Sequence, residues 1–285
     1  MIIPSCGSAT LAIMRTSVWS SYFLELSPEE MVDVFSKSGW SASELSDEHA
    51  VVLLKRGEAG KVGRQFRQYA DDKGFCFPQG HLWLNCDIVA LDQRKTIDDL
   101  KVWLDLFYEI GITAAVLHPG GREMIEAGYG QNRIMEARVI ALRELSEHIK
   151  GSDMFICLEN IPATCPECED LLRIVEEAGC PNIGICLDTG HLNLKSGDQV
   201  GFIKKAGTYL KALHIADNEG KSDQHLMPYG RGTIDWDKVL AALKENGYSG
   251  LFNLEIPGES RCPMPIKLAK LDYIKRMVEY MAGRM

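Results

Sequence analysis

Short apolar runs of four to eight residues alternate along the chain with segments whose apolar positions recur every three or four residues. The runs read as β-strands and the periodic segments as amphipathic helices, so the whole reads as a βα series. Residues 11–18 give a first strand. Ser27-Pro28-Glu29-Glu30 then opens a helix with an N-cap serine, a first-turn proline and acidic residues at the positive end of the helix dipole. That helix runs through Met31, Val34 and Phe35 and stops at Gly39. Residues 40–45 give the second strand and 60–72 a helix; 74–84 hold the third strand, followed by a helix over 96–110. Residues 112–117 give the fourth strand and 133–149 its helix. In the second half, residues 154–158, 183–187, 210–213 and 251–254 are apolar strands, and helices over 168–178, 199–206, 235–246 and 266–281 separate or follow them.

Strands that are apolar almost without interruption belong to a parallel sheet covered on both faces. Eight βα units with no linker, composition shift or low-complexity stretch between them predict one domain over residues 1–285, a single (β/α)8 TIM barrel of the α/β class. Its active site is expected at the C-terminal ends of the strands. A doubly wound open sheet is the alternative. No Gly-x-Gly-x-x-Gly stands at the first strand–helix turn, so nothing calls for the nucleotide-binding version of that fold.

Composition narrows the classes further. With 46% hydrophobic and 25% charged residues the chain is globular, which excludes disordered, collagenous and coiled-coil architectures. No run approaches the roughly 18 apolar residues of a membrane span. The first 21 residues are interrupted by Pro4, Gly7, Thr10 and Arg15 and lack a basic leader, so they do not read as a signal peptide. A net charge of −9 gives no general attraction to nucleic acid or anionic lipid. The main basic run, Lys55, Arg56, Lys61, Arg64 and Arg67, is opposed only by Glu58 and reads as a solvated helix face or as a phosphate-backbone surface. Nine cysteines, with Cys157 and Cys186 inside apolar strands, suggest buried thiols in a reducing, cytoplasmic setting. Cys165-x-x-Cys168 has no second pair beside it and reads as loop cysteines.

The chemistry gathers at strand ends. The fifth strand closes Cys157-Leu158-Glu159-Asn160 and the sixth Cys186-Leu187-Asp188-Thr189-Gly190-His191. The seventh closes Ala212-Leu213-His214-Ile215-Ala216-Asp217 and the eighth Phe252-Asn253-Leu254-Glu255. Earlier strands add His81 and His118, and the loop after the seventh adds Asp223-Gln224-His225. Successive gaps between residues 81, 118, 159, 188, 214 and 255 are 37, 41, 29, 26 and 41 residues, each one βα unit long. Any one of these residues could be a helix cap or a hydrogen-bonded core histidine. Their recurrence at equivalent positions around a ring argues for one site. His49 and His148 fall outside the pattern and read as packing or surface histidines.

The order Glu159, Asp188 with His191, His214 and Glu255, together with the helix-opening Gly230-Arg231-Gly232-Thr233-Ile234-Asp235-Trp236, resembles the xylose isomerase-like TIM barrels. These include sugar and sugar-phosphate isomerases and epimerases and the endonuclease IV group. The resemblance implies that Glu159, Asp188, His214 and Glu255 hold one divalent ion, with Glu159 and Glu255 also serving as the acid/base pair. It equally implies an endonuclease IV-like set of up to three zinc ions: His81, His118 and Glu159; then Glu159, Asp188, His214 and Glu255; then His191, Asp223 and His225. All nine residue types occur in the right order.

Charge separates the two chemistries. One divalent ion leaves the three core carboxylates at a net −1, which tolerates a neutral polyol, whereas three ions with Asp223 reach +2, which invites a phosphate and activates water. Under the first reading the enzyme is a metal-dependent isomerase or epimerase of a small carbohydrate or sugar phosphate. One of Glu159 and Glu255 removes the proton beside the carbonyl, the other returns it, and His191 hydrogen-bonds the polarised oxygen. Under the second it is a phosphoester hydrolase acting on abasic DNA or another phosphodiester, the only reading in which nucleic acid is a partner. Five histidines with four carboxylates favour zinc or manganese over magnesium. Lys221 and Arg231 stand as holders of a substrate phosphate or as solvated loop charges. Trp83 and Trp19 stand as stacking platforms or as packing at the barrel mouth. No membrane partner is expected, and a homo-oligomer stays open, since barrels of this size often pair.

Overall fold

In the computed structural model, which describes residues 14–90 and 92–285, eight parallel strands form the frame. They are β1 (Thr16–Val18), β2 (Ala42–Leu45), β3 (Cys76–His81), β4 (Ala114–Leu117), β5 (Phe155–Glu159), β6 (Ile183–Asp188), β7 (Leu210–His214) and β8 (Phe252–Leu254). Strands β2 to β7 pair in chain order, and β1 pairs with β8. Two contacts close the ring. Ile215 bridges Leu254, with the Glu255 N–H donating to the Ile215 carbonyl at 3.0 Å. On the other side Ser43 Oγ donates to the Val18 carbonyl at 2.7 Å, tying β2 to β1. The architecture is the α/β TIM barrel, not the open sheet. Of the strand expected over 11–18, residues 16–18 form β1 and 11–13 lie outside the described residues.

Small side chains fill part of the barrel interior: Ala114, Val116, Cys157, Cys186 and Ala212 make a cluster of their own. The larger apolar core lies between the strands and the surrounding helices. These helices are α1 (Pro28–Lys37), α2 (Asp47–Leu54), α3 (Ala59–Asp72), α4 (Gln93–Ile110), α5 (Arg122–Glu126), α6 (Gln131–His148), α7 (Cys168–Ala178), α8 (Thr189–Asn193), α9 (Gln199–Ala206), α10 (Trp236–Glu245) and α11 (Met264–Ala282). Ser27 and Glu30 make the capping box that starts α1. Glu58, which reads in sequence only as a counter-charge, is the N-cap of α3, accepting the N–H groups of Gly60 and Lys61 at 2.8 Å each. Three helices escaped the periodicity. α5 and α8 are five residues each, too short to show a repeat, and in α2 the run Ala50–Leu54 is apolar at every position. Among the described residues no helix is long and apolar enough to cross a membrane.

Loops at the C-terminal ends of the strands are held by buried polar groups. Arg138, 4% exposed on α6, donates Nε–H to the Pro119 carbonyl at 3.0 Å and Nη2–H to the Gly120 carbonyl at 2.8 Å. Asp87 accepts the Gly121 N–H at 2.8 Å from the other side, so the loop after His118 is clamped. Asp217 accepts the Thr233 N–H at 3.1 Å and the Trp236 indole N–H at 2.8 Å, which ties the 230–236 segment to the end of β7.

Candidate active site

The residues singled out by ring-wise spacing converge on one cavity of about 530 Å³ at the C-terminal mouth of the barrel. His81, His118, Glu159, His191, Asp223, His225 and Glu255 line it. Asp188 and His214 lie beneath them, each 1% exposed. The placement follows from the strands: β3, β5, β6 and β7 end on His81, Glu159, Asp188 and His214, and Glu255 immediately follows β8.

Glu159 is the hub. Its Oε2 lies 3.3 Å from His81 Nε2 and 3.4 Å from His118 Nε2, while Oε1 lies 3.1 Å from His191 Nδ1 and 3.5 Å from His214 Nδ1. His214 Nδ1 is also 3.3 Å from Glu255 Oε1, so it stands between the two glutamates. Further out, Asp223 Oδ2 lies 3.4 Å from His191 Nε2 and 3.1 Å from His225 Nε2. Backbone carbonyls orient three of the rings, that of His191 through Nδ1 on the Asn160 carbonyl at 3.1 Å. His81 Nδ1–H donates to Leu82 at 2.6 Å and His225 Nδ1–H to Glu255 at 2.8 Å, which turns each Nε2 toward the cavity as a lone-pair donor.

Two buried atoms carry the case for a cation. His214 Nδ1 and Asp188 Oδ2 are shut away from solvent without a hydrogen-bond partner, a costly arrangement unless something else satisfies their lone pairs. Both are lone-pair donors of the kind that bind borderline divalent ions. Three sets of side chains bring ligand atoms within 4.8 Å of one another: His81, His118 and Glu159; Glu159, Asp188 and His191; and Glu44, His214 and Glu255. The residues present therefore fit a divalent ion.

The two glutamates differ in their electrostatics. Burial works to raise Glu159, but His214, His118 and His191 outweigh it and hold this carboxylate well below its usual range. Burial pushes Glu255 up to about 8, the pull of His214 being countered by the charges of Asp188 and Glu159. Burial disfavours the charged form of His225, yet its hydrogen bond to Asp223 and the nearby Glu255 raise it to about 9.

Trp19 lines the cavity, its ring stacked on His225 at 5.8 Å between centroids and its indole N–H donating to the Ile256 carbonyl at 3.2 Å. Trp83 is half-buried against the hydrophobic core, and Lys221 and Arg231 are exposed on their loop, away from the cavity wall. In the basic run Arg56 pairs with Glu29, Arg64 with Glu109 and Arg67 with Asp71, which makes it a solvated, locally neutralised face. His49 is buried and hydrogen-bonded, and His148 pairs with Asp105 at 2.8 Å. Sequence reasoning missed Glu44 on β2, 1% exposed, whose Oε1 is 2.9 Å from His214 Nε2. A signal was there: Glu44 precedes His81 by 37 residues, the same interval that separates His81 from His118.

This chain belongs to the xylose isomerase-like TIM barrel family, whose model matches residues 32–282. It is 30% identical over 172 residues to an uncharacterised protein of Methanocaldococcus jannaschii, covering 57% of each chain. It is also 30% identical over 118 residues to a D-psicose 3-epimerase of Enterocloster bolteae, covering 40% of this chain and 37% of that enzyme. The chain thus spans little more than half the length of the curated relatives that head the comparison. Among solved structures, a D-tagatose 3-epimerase-like protein superposes with a TM-score of 0.76 at 22% identity, over 95% of this chain and 99% of that one.

Proposed function

We propose that the protein is a divalent-metal-dependent isomerase or epimerase of a small, uncharged polyhydroxy carbonyl compound. The observation that carries the reading is the placement of Glu159 and Glu255 on either side of His214 Nδ1, at the floor of a cavity large enough for a sugar. The partial likeness to a D-psicose 3-epimerase supports it. The cavity wall supports an unphosphorylated substrate: among the described residues that line it the one arginine, Arg122, is paired with Glu126 at 2.9 Å.

Glu159, Asp188, His214 and Glu255 would hold the ion, zinc or manganese since one imidazole stands among three carboxylates, and the ion would supply Lewis-acid polarisation of the substrate carbonyl. The residues do the rest. One of Glu159 and Glu255 accepts the proton from the carbon beside the carbonyl, the C–H electron pair moving into the enediolate double bond. The other donates a proton to the opposite face of that carbon, or to its neighbour, as the carbonyl re-forms. His191, whose Nδ1 lies between the Asn160 carbonyl and Glu159 and whose Nε2 lies 3.4 Å from Asp223, would hydrogen-bond a substrate oxygen through Nε2. Trp19 closes one side of the cavity and shields the transfer from water.

The test is deuterium incorporation from D₂O into a panel of ketohexoses and inososes, followed by NMR. The expected result is exchange at one carbon beside the carbonyl, lost with chelator and restored by manganese or zinc. A second reading rests on the meeting of His81 and His118 at one oxygen of Glu159 and of His191 and His225 at Asp223, which fits a three-ion phosphoester hydrolase. Absence of exchange across the panel, with cleavage of an abasic duplex by protein holding three zinc ions, would put that reading in its place.

A further inference from the structure

A line of polar side chains runs down the inside of the barrel below His214, where the other inner positions cited above are alanine, valine and cysteine. His214 Nε2–H donates to Glu44 Oε1 at 2.9 Å. The Asn253 amide Nδ2–H donates to Glu44 Oε2, and Ser17 Oγ–H donates to Asn253 Oδ1 at 2.7 Å. Ser17 and Asn253 are register partners on β1 and β8, and all four residues are no more than 1% exposed. A carboxylate at this depth costs several kcal/mol of desolvation unless its oxygens are engaged; here both are.

The order of donors along the line has a consequence. Glu44, whose carboxylate only accepts, turns the nitrogen end of the Asn253 amide toward itself, and Ser17 holds the amide there by donating to its oxygen end. Glu44 in turn fixes the proton of His214 on Nε2, leaving the lone pair on Nδ1, the buried unpartnered atom between Glu159 and Glu255. Glu44 also lies within ligand distance of His214 and Glu255, so it could be a ligand in its own right. Its two oxygens are already committed, to His214 Nε2 and to Asn253.

We infer that Glu44 is a positioning residue of the metal centre, which, backed by Asn253 and Ser17, fixes the tautomer and ring angle of His214 and strengthens Nδ1 as a donor to the cation. The inference rests on the metal-centre reading above, and its test separates the two. Cobalt(II) is titrated into chelator-stripped protein in competition with a colorimetric chelator, and the visible spectrum of the complex is recorded. The expected result is a cobalt complex in the parent protein and a similar spectrum in Glu44→Gln, with affinity lowered about 10–100-fold and an unchanged circular dichroism spectrum. Ser17→Ala, which leaves the Glu44–His214 contact in place, should weaken binding severalfold and serves as the deciding variant if Glu44→Gln does not fold.

Parent-like affinity in Glu44→Gln, or in Ser17→Ala where only that variant folds, would overturn the inference and leave the metal centre standing. A different ligand-field pattern in Glu44→Gln would overturn it as well, by placing Glu44 among the ligands. No cobalt binding by the parent protein would remove the metal-centre reading itself, and this inference with it.

Discussion

The side-chain amide of Asn160 closes on the backbone of Asp188 from both sides: Oδ1 accepts the Asp188 N–H at 2.7 Å, and Nδ2 donates to the Asp188 carbonyl at 3.0 Å. This clamp joins the ends of β5 and β6 and holds Asp188 where its Oδ1 caps α8 by accepting the His191 N–H at 2.6 Å. Asn160→Ala strips two buried backbone groups of their partners, at about 1–3 kcal/mol each. The variant is expected to unfold at lower urea and to bind metal more weakly. Parent-like values for both would mean that neighbouring strands alone position Asp188.

The proposed proton transfer, to one glutamate from the substrate and back to it from the other, makes a second prediction. Glu159→Gln and Glu255→Gln each remove a proton acceptor while keeping the side chain's shape. Each should lower deuterium exchange by at least about 10²–10⁴-fold, with the fold retained by circular dichroism. Exchange at the parent rate in either variant would assign the transfer to another group.

The site was legible because it sits where the sequence is most regular. Glu159, Asp188, His214 and Glu255 follow apolar runs whose lengths mark the strand ends, so a strand period and a unit length sufficed to place them on one face. Glu44 was not legible in the same way. It lies inside its strand and not at the end, so only its 37-residue interval from His81 marks it, and its role depends on His214 and Asn253 across the barrel. The same holds for Arg138 and Asp217, whose partners are backbone groups of distant loops. The loop that carries Asp223 and His225 into the cavity leaves Lys221 and Arg231 exposed and outside its lining, a difference between near neighbours that spacing along the chain does not encode.

A pair of glycine substitutions separates backbone strain from steric conflict. Gly120 has φ +64° and Gly128 +79°, both in the left-handed region that costs a side chain about 1 kcal/mol or more. A Cβ at Gly128 meets nothing within 4 Å, whereas at Gly120 it would lie 2.4 Å from Asp87 Oδ1 and 3.0 Å from the Ile88 nitrogen. Gly120→Ala must therefore push Asp87 off the Gly121 N–H and disturb the loop that follows His118. It should lose more stability than Gly128→Ala and lose activity as well, whereas Gly128→Ala keeps its activity. Equal losses in the two would show that only the backbone angle matters.

His49 predicts how stability depends on pH at a point outside the candidate site. It is 2% exposed, with Nε2–H donating to the Leu26 carbonyl at 3.2 Å and Nδ1 accepting from Ser20 Oγ at 2.9 Å. Burial lowers its pKa below 6.5, against the smaller opposing effects of Leu26 and Glu48. Protonation would cost Nδ1 its acceptor role, so the folded protein resists the proton that the unfolded chain takes up. The stabilisation is therefore full above pH 6.5 and is lost as pH falls from there through the lowered folded value. His49→Gln should be less stable near neutral pH, but its stability should decline less steeply than the parent's from about pH 7 to about pH 5. Urea unfolding at a series of pH values measures the difference, in which the titrations common to both proteins cancel. Parallel curves would mean that His49 stays uncharged in the unfolded chain too, or protonates freely in the fold, and either would remove the burial argument.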